Sequence, residues 1–330
     1  MKKITSILVV GGAGYIGSHM VKLLGKLGVE VTTLDNLSTG YADAVKYGDF
    51  ILGDISDVDL LTRIFEENNF DAVMHFASSI QVGESIISPS KYYQNNLVNT
   101  LTLLDVMIAA GVKRFIFSST AAVFGEPLYT PIDESHPKRP INPYGQSKLM
   151  VEKILADYDK AYGLKSAILR YFNAAGADSD GLLGERHNPE THLIPLALQV
   201  ASGRKEELSI FGNDYDSFDG TCVRDYIHVL DLCNAHWLAL KSLIDSGGSE
   251  SYNLGNGTGF SVKQVIDMVR LVTGSDIKVR FNPRREGDPV RLVADSEFAK
   301  NKLGWSPKHS SLKDIIQDAW FWEQSNWKSN

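Results

Sequence analysis

The chain has 330 residues, 43% of them hydrophobic and 22% charged, and a net charge of −7; this length is long for one hydrophobic core and predicts two lobes or one domain with a large elaboration. The composition is that of a soluble globular protein, no apolar run reaches the length of a membrane span, and the acidic balance leaves no electrostatic footprint for nucleic acid. Cys222 and Cys233 fit no ligand or redox spacing and read as free thiols of a reducing cytoplasm, and the eight histidines nowhere take the helical spacing of metalloprotease ligands, so no metal site is expected.

Residues 6–10 form an apolar run that stops at Gly11-Gly12, too early for the core of a signal peptide, and so predict the first strand. The chain continues as Ala13-Gly14-Tyr15-Ile16-Gly17 and then places Met20, Leu23, Leu24 and Leu27 at helical spacing. Gly12, Gly14 and Gly17 have the dinucleotide-loop spacing, and Gly11, Gly14 and Gly17 a variant with glycine at every third position. Glycine is needed where the backbone turns tightly, where it approaches a pyrophosphate and where helix and strand pack closely, while the helix N-terminus offers N–H donors. Gly11, Gly14, Tyr15, Ile16 and Gly17 are therefore candidates to hold a dinucleotide.

A second strand over 29–34 ends at Asp35 and Asn36. A carboxylate there accepts from the adenosine ribose hydroxyls and repels a 2′-phosphate, which favours NAD over NADP; a simple strand-end turn is the other account. Strands over 50–52 and 72–76, with a helix over 58–67 between them, establish βαβα alternation and predict a Rossmann-type α/β fold, a parallel sheet doubly wound by helices. Asp54 and Ile55 follow the third strand, so Asp54 either reaches an adenine amine or caps the next helix. Phe76 and Ala77 stand at the end of the fourth strand, where they can line the pyrophosphate.

A long amphipathic helix is predicted over 92–110, and its adjacent Asn95 and Asn96 offer one amide toward the sheet; Asn95 is taken as the cofactor-side candidate. The fifth strand, 114–117, runs into Ser118-Ser119-Thr120, hydroxyls that can donate to a substrate oxygen or cap a turn. A proline-rich loop over 125–143 delivers the chain to Asn142-Pro143-Tyr144-Gly145-Gln146-Ser147-Lys148. Four residues apart, Tyr144 and Lys148 share one helix face, and a nearby ammonium lowers a phenol pKa from its usual value of about 10. Tyr144 then becomes a proton shuttle. A sixth strand covers 167–169.

From Tyr171-Phe172-Asn173 the texture changes and a second lobe begins, a smaller mixed α/β unit. Helices are predicted over 193–201, 229–243, 262–272, 296–303 and 312–327, and strands over 208–210, 225–227, 251–254 and 278–281. The division is 1–172 for the cofactor and 173–330 for the substrate, with a segment near 225–245 returning to the first domain. Arg224 beside Asp225, and Arg284-Arg285-Glu286-Gly287-Asp288, are basic spots in an acidic chain. Arginine forks suit phosphate, and Asp288 can take a pair of sugar hydroxyls; a surface ion-pair cluster is the alternative.

With these motifs, the chain resembles the extended short-chain dehydrogenase/reductase family over nearly its whole length. Within that family it is similar to nucleotide-sugar 4-epimerases through Tyr171-Phe172-Asn173, Phe211-Gly212-Asn213-Asp214-Tyr215, the run from Gly220 to Val229 and the run from Pro283 to Asp288. The resemblance implies reversible 4-epimerisation of UDP-galactose and UDP-glucose through a 4-keto sugar, with transient hydride transfer to tightly bound NAD. It implies that Tyr144 takes the 4-hydroxyl proton, that Lys148 holds the nicotinamide ribose and depresses the Tyr144 pKa, and that Thr120 bridges Tyr144 and the sugar. Ser118 and Tyr171 would complete the cofactor site. Asn173, His192, Leu193, Phe211, Arg224, Arg285 and Asp288 would grip the UDP-sugar, His192 standing where an asparagine is common. Ile80 replaces a cofactor-contacting lysine. Leu292 falls where residue size gates N-acetylated sugars, so a UDP-N-acetylglucosamine 4-epimerase is an alternative, as is another nucleotide-sugar enzyme of the family. Dehydratases carry a carboxylate pair after the hydroxyl cluster; Ala121-Ala122 removes the acid and base that elimination needs. A non-catalytic NAD-sensing regulator on the same fold is the reading from another class. Family likeness also implies a homodimer.

Overall fold

The computed structural model describes residues 4–285, 288–309 and 311–327. The first part of the described chain runs β1 (Ser6–Val10), α1 (Tyr15–Lys26), β2 (Glu30–Asp35), β3 (Asp49–Leu52), α2 (Val58–Glu67), β4 (Ala72–His75), α3 (Val82–Ile87), α4 (Pro89–Tyr92), a π-helical turn (Tyr93–Val98), α5 (Asn99–Ala109), β5 (Arg114–Thr120), α6 (Pro143–Tyr162) and β6 (Lys165–Tyr171). It continues as β7 (Asn173–Ala175), α7 (Leu193–Ala201), β8 (Leu208–Phe211), β9 (Val223–His228), α8 (Val229–Ser246), β10 (Glu250–Leu254), β11 (Gly259–Ser261), α9 (Val262–Thr273), β12 (Val279–Asn282), β13 (Arg291–Leu292), α10 (Glu297–Leu303) and α11 (Leu312–Asn326).

Seven strands form one parallel sheet in the order β10-β6-β5-β4-β1-β2-β3. Its central strands are apolar and buried on both faces, as a parallel sheet requires. On one face Met20, Val21 and Leu24 of α1 pack with Leu232, Ala235, Ala239 and Leu240 of α8. On the other, Leu61 and Ile64 of α2 pack with Leu103, Leu104 and Met107 of α5 and Val151 and Leu155 of α6. The strand order reverses between β1 and β4, which opens a crevice at their carboxyl ends, the place where doubly wound folds bind dinucleotides. The smaller lobe has a four-stranded sheet of β11, β9, β13 and β7, a β8–β12 pair, and a core shared by α7, α9 and α11.

Three elements differ from the sequence expectation. The strand at 251–254 was placed in the second lobe, yet β10 pairs in parallel with β6, Tyr252 opposite Leu169. Here α8, packed on β5 and β6, brings the chain back to the edge of the large sheet. The helix expected over 92–110 is interrupted by the π-turn, a local i→i+5 register found often at functional sites. The fifth strand does not stop at 117: Ser118, Ser119 and Thr120 pair with Leu169, Arg170 and Tyr171 of β6. The start of α6 follows from its sequence, since Asn142 caps it by accepting from Gly145 N at 2.8 Å and Pro143 occupies the first turn.

Candidate active site

The glycine turn between β1 and α1 separates into three requirements. Gly11 has φ +79°, and a Cβ there would meet Ala77 N at 2.4 Å. At Gly17 a Cβ would lie 2.1 Å from Gly11 O, so close approach of helix and turn demands glycine. Gly14 is different: a Cβ would meet only Gly11 O, at an ordinary 3.4 Å. Gly14 is also the N-cap of α1 and supplies no side-chain cap. The space before the first-turn amides, those of Tyr15, Ile16 and Gly17, is therefore left open by the protein itself, as an anion cradle at a helix N-terminus requires. The segment from Leu182 to Arg186 faces this turn across a small cavity shared with Gly14 and Tyr15, and Arg186 stacks on Tyr41 at 3.5 Å and pairs with Asp43 at 2.6 Å.

Asp35 faces the same turn. Its carboxylate accepts from Ala13 N at 2.9 Å and Leu37 N at 2.8 Å, which fixes it and leaves lone pairs for a further donor. Asn36 donates to Asp54 Oδ2 at 2.6 Å, and Asp54 Oδ1 accepts from Ser56 N at 2.8 Å. The cap of α2 is Asp57, which accepts from Leu60 N; Asp54 is not needed for that task. Ile55 is buried beside it. Phe76 and Ala77 end β4 half-buried, with the Phe76 ring 5.0 Å from His236.

Around Tyr144 the groups converge from three elements. Lys148 is 3% exposed, lies over the Phe117 ring at 4.8 Å, and donates to Ser118 O at 2.8 Å. Burial pulls its pKa down to about 7, against an opposing pull from Glu152. Tyr144 is half-buried, meets Tyr92 edge-on at 6.4 Å, and has its pKa raised by burial, partly offset by a hydrogen bond with Thr120. The expected depression of this pKa by Lys148 is not among the influences acting on the phenol. The lysine is directed at the Ser118 carbonyl, and burial disfavours the charged form of both groups. Thr120 does two things: its hydroxyl holds the Tyr144 pKa down and its Oγ1 accepts from Ala122 N at 3.1 Å.

Ser118 Oγ lies 3.2 Å from His236 Nε2, whose Nδ1 is 2.9 Å from Leu232 O. Burial drives the His236 pKa down to about 4, so the ring is neutral, protonated on Nδ1 by this geometry, and accepts from Ser118. Burial raises the pKa of the half-buried Tyr171 phenol, against a lowering pull from Ser118. Behind them, Arg170 grips Glu152 with Nε at 2.9 Å and Nη2 at 2.8 Å, while Ser119 Oγ donates to Glu152 Oε1 at 2.6 Å. All three are buried. This network pins β5, β6 and α6 together directly behind Lys148.

The adjacent amides take separate roles. Asn96 is 1% exposed, accepts from Ser79 N at 2.8 Å, and donates to Ser79 O at 3.0 Å and Ser147 Oγ at 3.1 Å. Asn95 is half-buried and donates to Asn96 Oδ1 at 3.0 Å. The extra residue in the π-turn thus makes Asn96 the structural amide and leaves Asn95 as the one still available to a ligand. Ile80, an apolar side chain, is 40% exposed.

In the second lobe, Asn173 donates to Asp225 O at 2.9 Å. Asp225 is fully buried and accepts from the backbone of Asn256, Gly257 and Ala294, a structural carboxylate that ties β9 to its neighbouring loops. Arg224 is paired with Asp288 and donates to Val223 O, Arg285 lies over the Phe211 ring at 3.9 Å, and Leu292 is the register partner of Arg224. Leu292 also packs with Phe172 on the cluster of Val123 and Phe124, which follows Thr120 and so links the gate position to the Tyr144 region. Arg284 stacks on Tyr215 and pairs with Asp214 at the surface. Glu286 and Gly287 lie outside the described residues. Leu193 opens α7, and His192 before it contacts Glu185 and Glu190 at 2.8 and 2.9 Å.

Sequence reasoning left the directions of Asn95 and Asn96 unranked and gave no role to Ser147, the Glu152–Arg170 pair or His236. Glu152 was findable, being four residues beyond Lys148 on the same face, and Arg170 was a charge closing an apolar strand. His236 carried no local signal.

A sequence model of the NAD dependent epimerase/dehydratase family matches residues 7–255. A curated protein of Halalkalibacterium halodurans named UDP-glucose 4-epimerase is 53% identical over 321 residues, covering 97% of this chain and 96% of its own. The crystal structure of UDP-glucose 4-epimerase from Brucella ovis in complex with NAD superposes with a TM-score of 0.93 at 49% identity, covering 96% of this chain and 97% of that one. The Bifidobacterium longum UDP-glucose 4-epimerase in complex with NAD+ and UDP gives a TM-score of 0.92 at 40% identity, covering 98% and 99%.

Proposed function

The chain belongs to the NAD dependent epimerase/dehydratase family, and from that premise we propose that it is an NAD-dependent isomerase that interconverts UDP-galactose and UDP-glucose at C4. The observation that carries the reading is a buried Lys148 one helical turn from Tyr144 in the same helix, with Thr120 near enough to hold the Tyr144 pKa down and alanines at 121 and 122. Such a centre moves a proton to and from a sugar hydroxyl and has no carboxylate for elimination.

The cofactor would be held by the turn from Gly11 to Gly17, by Asp35 and Asn36 with Asp54 and Ile55, by Phe76, Ala77 and Asn95, and by Ser118, Lys148 and Tyr171. NAD held there would supply the redox chemistry, a reversible hydride exchange at sugar C4. Tyr144 accepts the 4-hydroxyl proton as the keto sugar forms and gives it back as the hydroxyl is rebuilt. Thr120 orients both oxygens. Lys148 donates to the cofactor ribose, since its ammonium already sits among buried oxygen acceptors. Arg224 and Arg285 take the diphosphate, with Asp288 released from Arg224 toward sugar hydroxyls. Asn173, His192, Leu193 and Phe211 complete the nucleotide grip.

We assign residues 1–172, with the returning segment near 225–245 and β10, to the cofactor, and the remainder of 173–330 to the UDP-sugar. We also propose a cytoplasmic homodimer; among the described residues no helix is long and apolar enough to cross a membrane. An enzyme preferring UDP-N-acetylglucosamine is not favoured, because the relatives named above are UDP-glucose 4-epimerases. The NAD-sensing reading is disfavoured by the intact Tyr144, Lys148 and Thr120 set. The test is incubation of the purified protein with UDP-galactose while UDP-glucose is followed. Absence of conversion, with or without added NAD, sinks the proposal.

A further inference from the structure

One polar cluster enters the reading above only through His192, which stands at its edge toward the nucleotide. Glu185, His187, Glu190 and His192 come from a single eight-residue loop before α7, and one ligand atom from each lies within 4.8 Å of every other. His187 Nδ1 is 3.2 Å from Glu185 Oε1 and 3.7 Å from Glu190 Oε2, and His192 Nδ1 is 2.8 Å from Glu185 Oε1 and 2.9 Å from Glu190 Oε1. Four ligands at about 2.0–2.2 Å around a tetrahedral metal stand roughly 3.3–3.6 Å apart. The separations here bracket that edge length.

Two further observations point to a ligand. His187 Nδ1 is buried and makes no hydrogen bond of acceptable geometry, although a carboxylate oxygen is close. His192 Nδ1 is hydrogen-bonded to Glu190 Oε1 at 2.9 Å, so His187 carries the unsatisfied nitrogen facing the carboxylates. Both carboxylate side chains are only 6% exposed, and among the described residues their ion-pair partners are the two imidazoles. Without a cation, two buried negative charges are balanced only by protonating both rings. A divalent ion replaces both protons at the same net charge. Glu190 Oε1 is also braced by Thr191 N at 2.7 Å and His192 N at 2.8 Å, and Trp322 Nε1 holds Glu185 O at 3.2 Å, the kind of outer support that orients metal ligands.

We propose that Glu185, His187, Glu190 and His192 form a structural site for one tetrahedral divalent transition-metal ion, with zinc fitting best. The set holds two imidazole nitrogens and two carboxylate oxygens, lacks thiolates, and leaves no open position for a catalytic water. Its place in the fold gives it a task. The His187 ring meets the Tyr15 ring edge-on at 6.4 Å, and His192 leads directly into Leu193. The ion would therefore clamp the loop between the glycine turn and the start of α7, joining the cofactor and UDP-sugar halves of the site. Such a site would differ from the helical ligand spacing considered in the sequence, because these residues sit on a loop.

The experiment uses the tagless full-length protein with its NAD. It is stripped with a chelator, then titrated with Co²⁺ followed by visible absorption, and with Zn²⁺ followed by elemental analysis and thermal unfolding. The expected result is one ion per chain, the intense d–d bands of tetrahedral Co²⁺, a Tm several degrees higher with Zn²⁺, and loss of the bands in both His187→Gln and Glu190→Gln. The far-ultraviolet dichroism of each metal-free variant should match that of the metal-free parent. Absence of bands in the parent overturns the site, as does the weak spectrum of octahedral Co²⁺. Bands that survive both substitutions place the metal elsewhere and overturn it equally. Because the readout is spectroscopic, failure of the epimerase reading leaves the outcome unaffected.

Discussion

Replacing Glu152 by Gln keeps the shape of the side chain and removes its charge, and the structure sets the consequence. Arg170 makes two hydrogen bonds to that carboxylate, at 2.9 and 2.8 Å, and Ser119 a third at 2.6 Å, all within a region only a few per cent exposed. Arg170 Nη1 already has no hydrogen-bond partner among the described residues, so no second acceptor takes over when the carboxylate is gone. Breaking one side of a buried ion pair costs about 3–5 kcal/mol, whereas replacing both partners by apolar groups of similar volume is often neutral. With about 2–4 °C of Tm per kcal/mol for a chain of this order of size, E152Q should unfold roughly 6–20 °C lower by circular dichroism at saturating NAD. The double variant Glu152→Leu with Arg170→Met should recover most of that loss. A fall in Tm of under about 2 °C for E152Q, or a double variant no better than the single one, would refute the reasoning, since either result means that the guanidinium is not stranded.

Tyr144→Phe should retain fold and bound NAD yet lose about 10²–10⁴-fold in turnover of UDP-galactose; activity within a few-fold of the parent would remove the phenol from the chemistry. Burial raises the Tyr144 pKa, so turnover should climb as pH rises above neutrality toward that pKa, and Thr120→Val, which removes the one interaction that lowers it, should move the climb to higher pH. An unshifted profile would contradict the Thr120 assignment. Gly14→Ala and Gly17→Ala should fail in different ways: the first, with a nearest protein atom at 3.4 Å, should weaken NAD binding at nearly unchanged stability of the stripped protein, whereas the second, forced to 2.1 Å from a backbone oxygen, should unfold at lower temperature with or without NAD. Calorimetry of both forms separates them. Leu292→Tyr should reduce turnover of UDP-N-acetylgalactosamine more than that of UDP-galactose, and equal losses on the two would exclude a gate at 292.

The alternation of strand and helix through β6 was legible because each buried parallel strand is a short apolar run ended by glycine or a polar group, and each helix carries its apolar face at regular spacing. What escaped has physical reasons. Ser118, Ser119 and Thr120 looked like a turn since strand interiors are usually apolar. They remain in β5 because Lys148, Glu152, His236 and Tyr144 satisfy them from other elements, a compensation that no local window contains. The π-turn is set by tertiary contacts of Asn96 with Ser79 and Ser147, so the sequence offered two adjacent amides and no means of ranking their directions. For β10, the strand itself was predicted, but its partner depends on where α8 delivers the chain. At two or three residues, β7, β11 and β13 are too short to show alternation at all.

The two groups with which the centre was first recognised end in a relation different from the one their spacing suggested. Burial acts on both in the same sense, lifting the Tyr144 pKa and bringing that of Lys148 to about 7, so the enclosed site favours a neutral phenol and gives the amine only a weak preference for its charge near neutral pH. A buried phenolate needs compensating positive charge close by, and Lys148, turned to the Ser118 carbonyl at 2.8 Å, is poorly placed to supply it alone. Oxidised nicotinamide is cationic, and ribose hydroxyls beside Lys148 would add acceptors for the ammonium. Both changes favour the charged pair. A cationic nicotinamide held beside both groups would supply the charge that Lys148 alone does not.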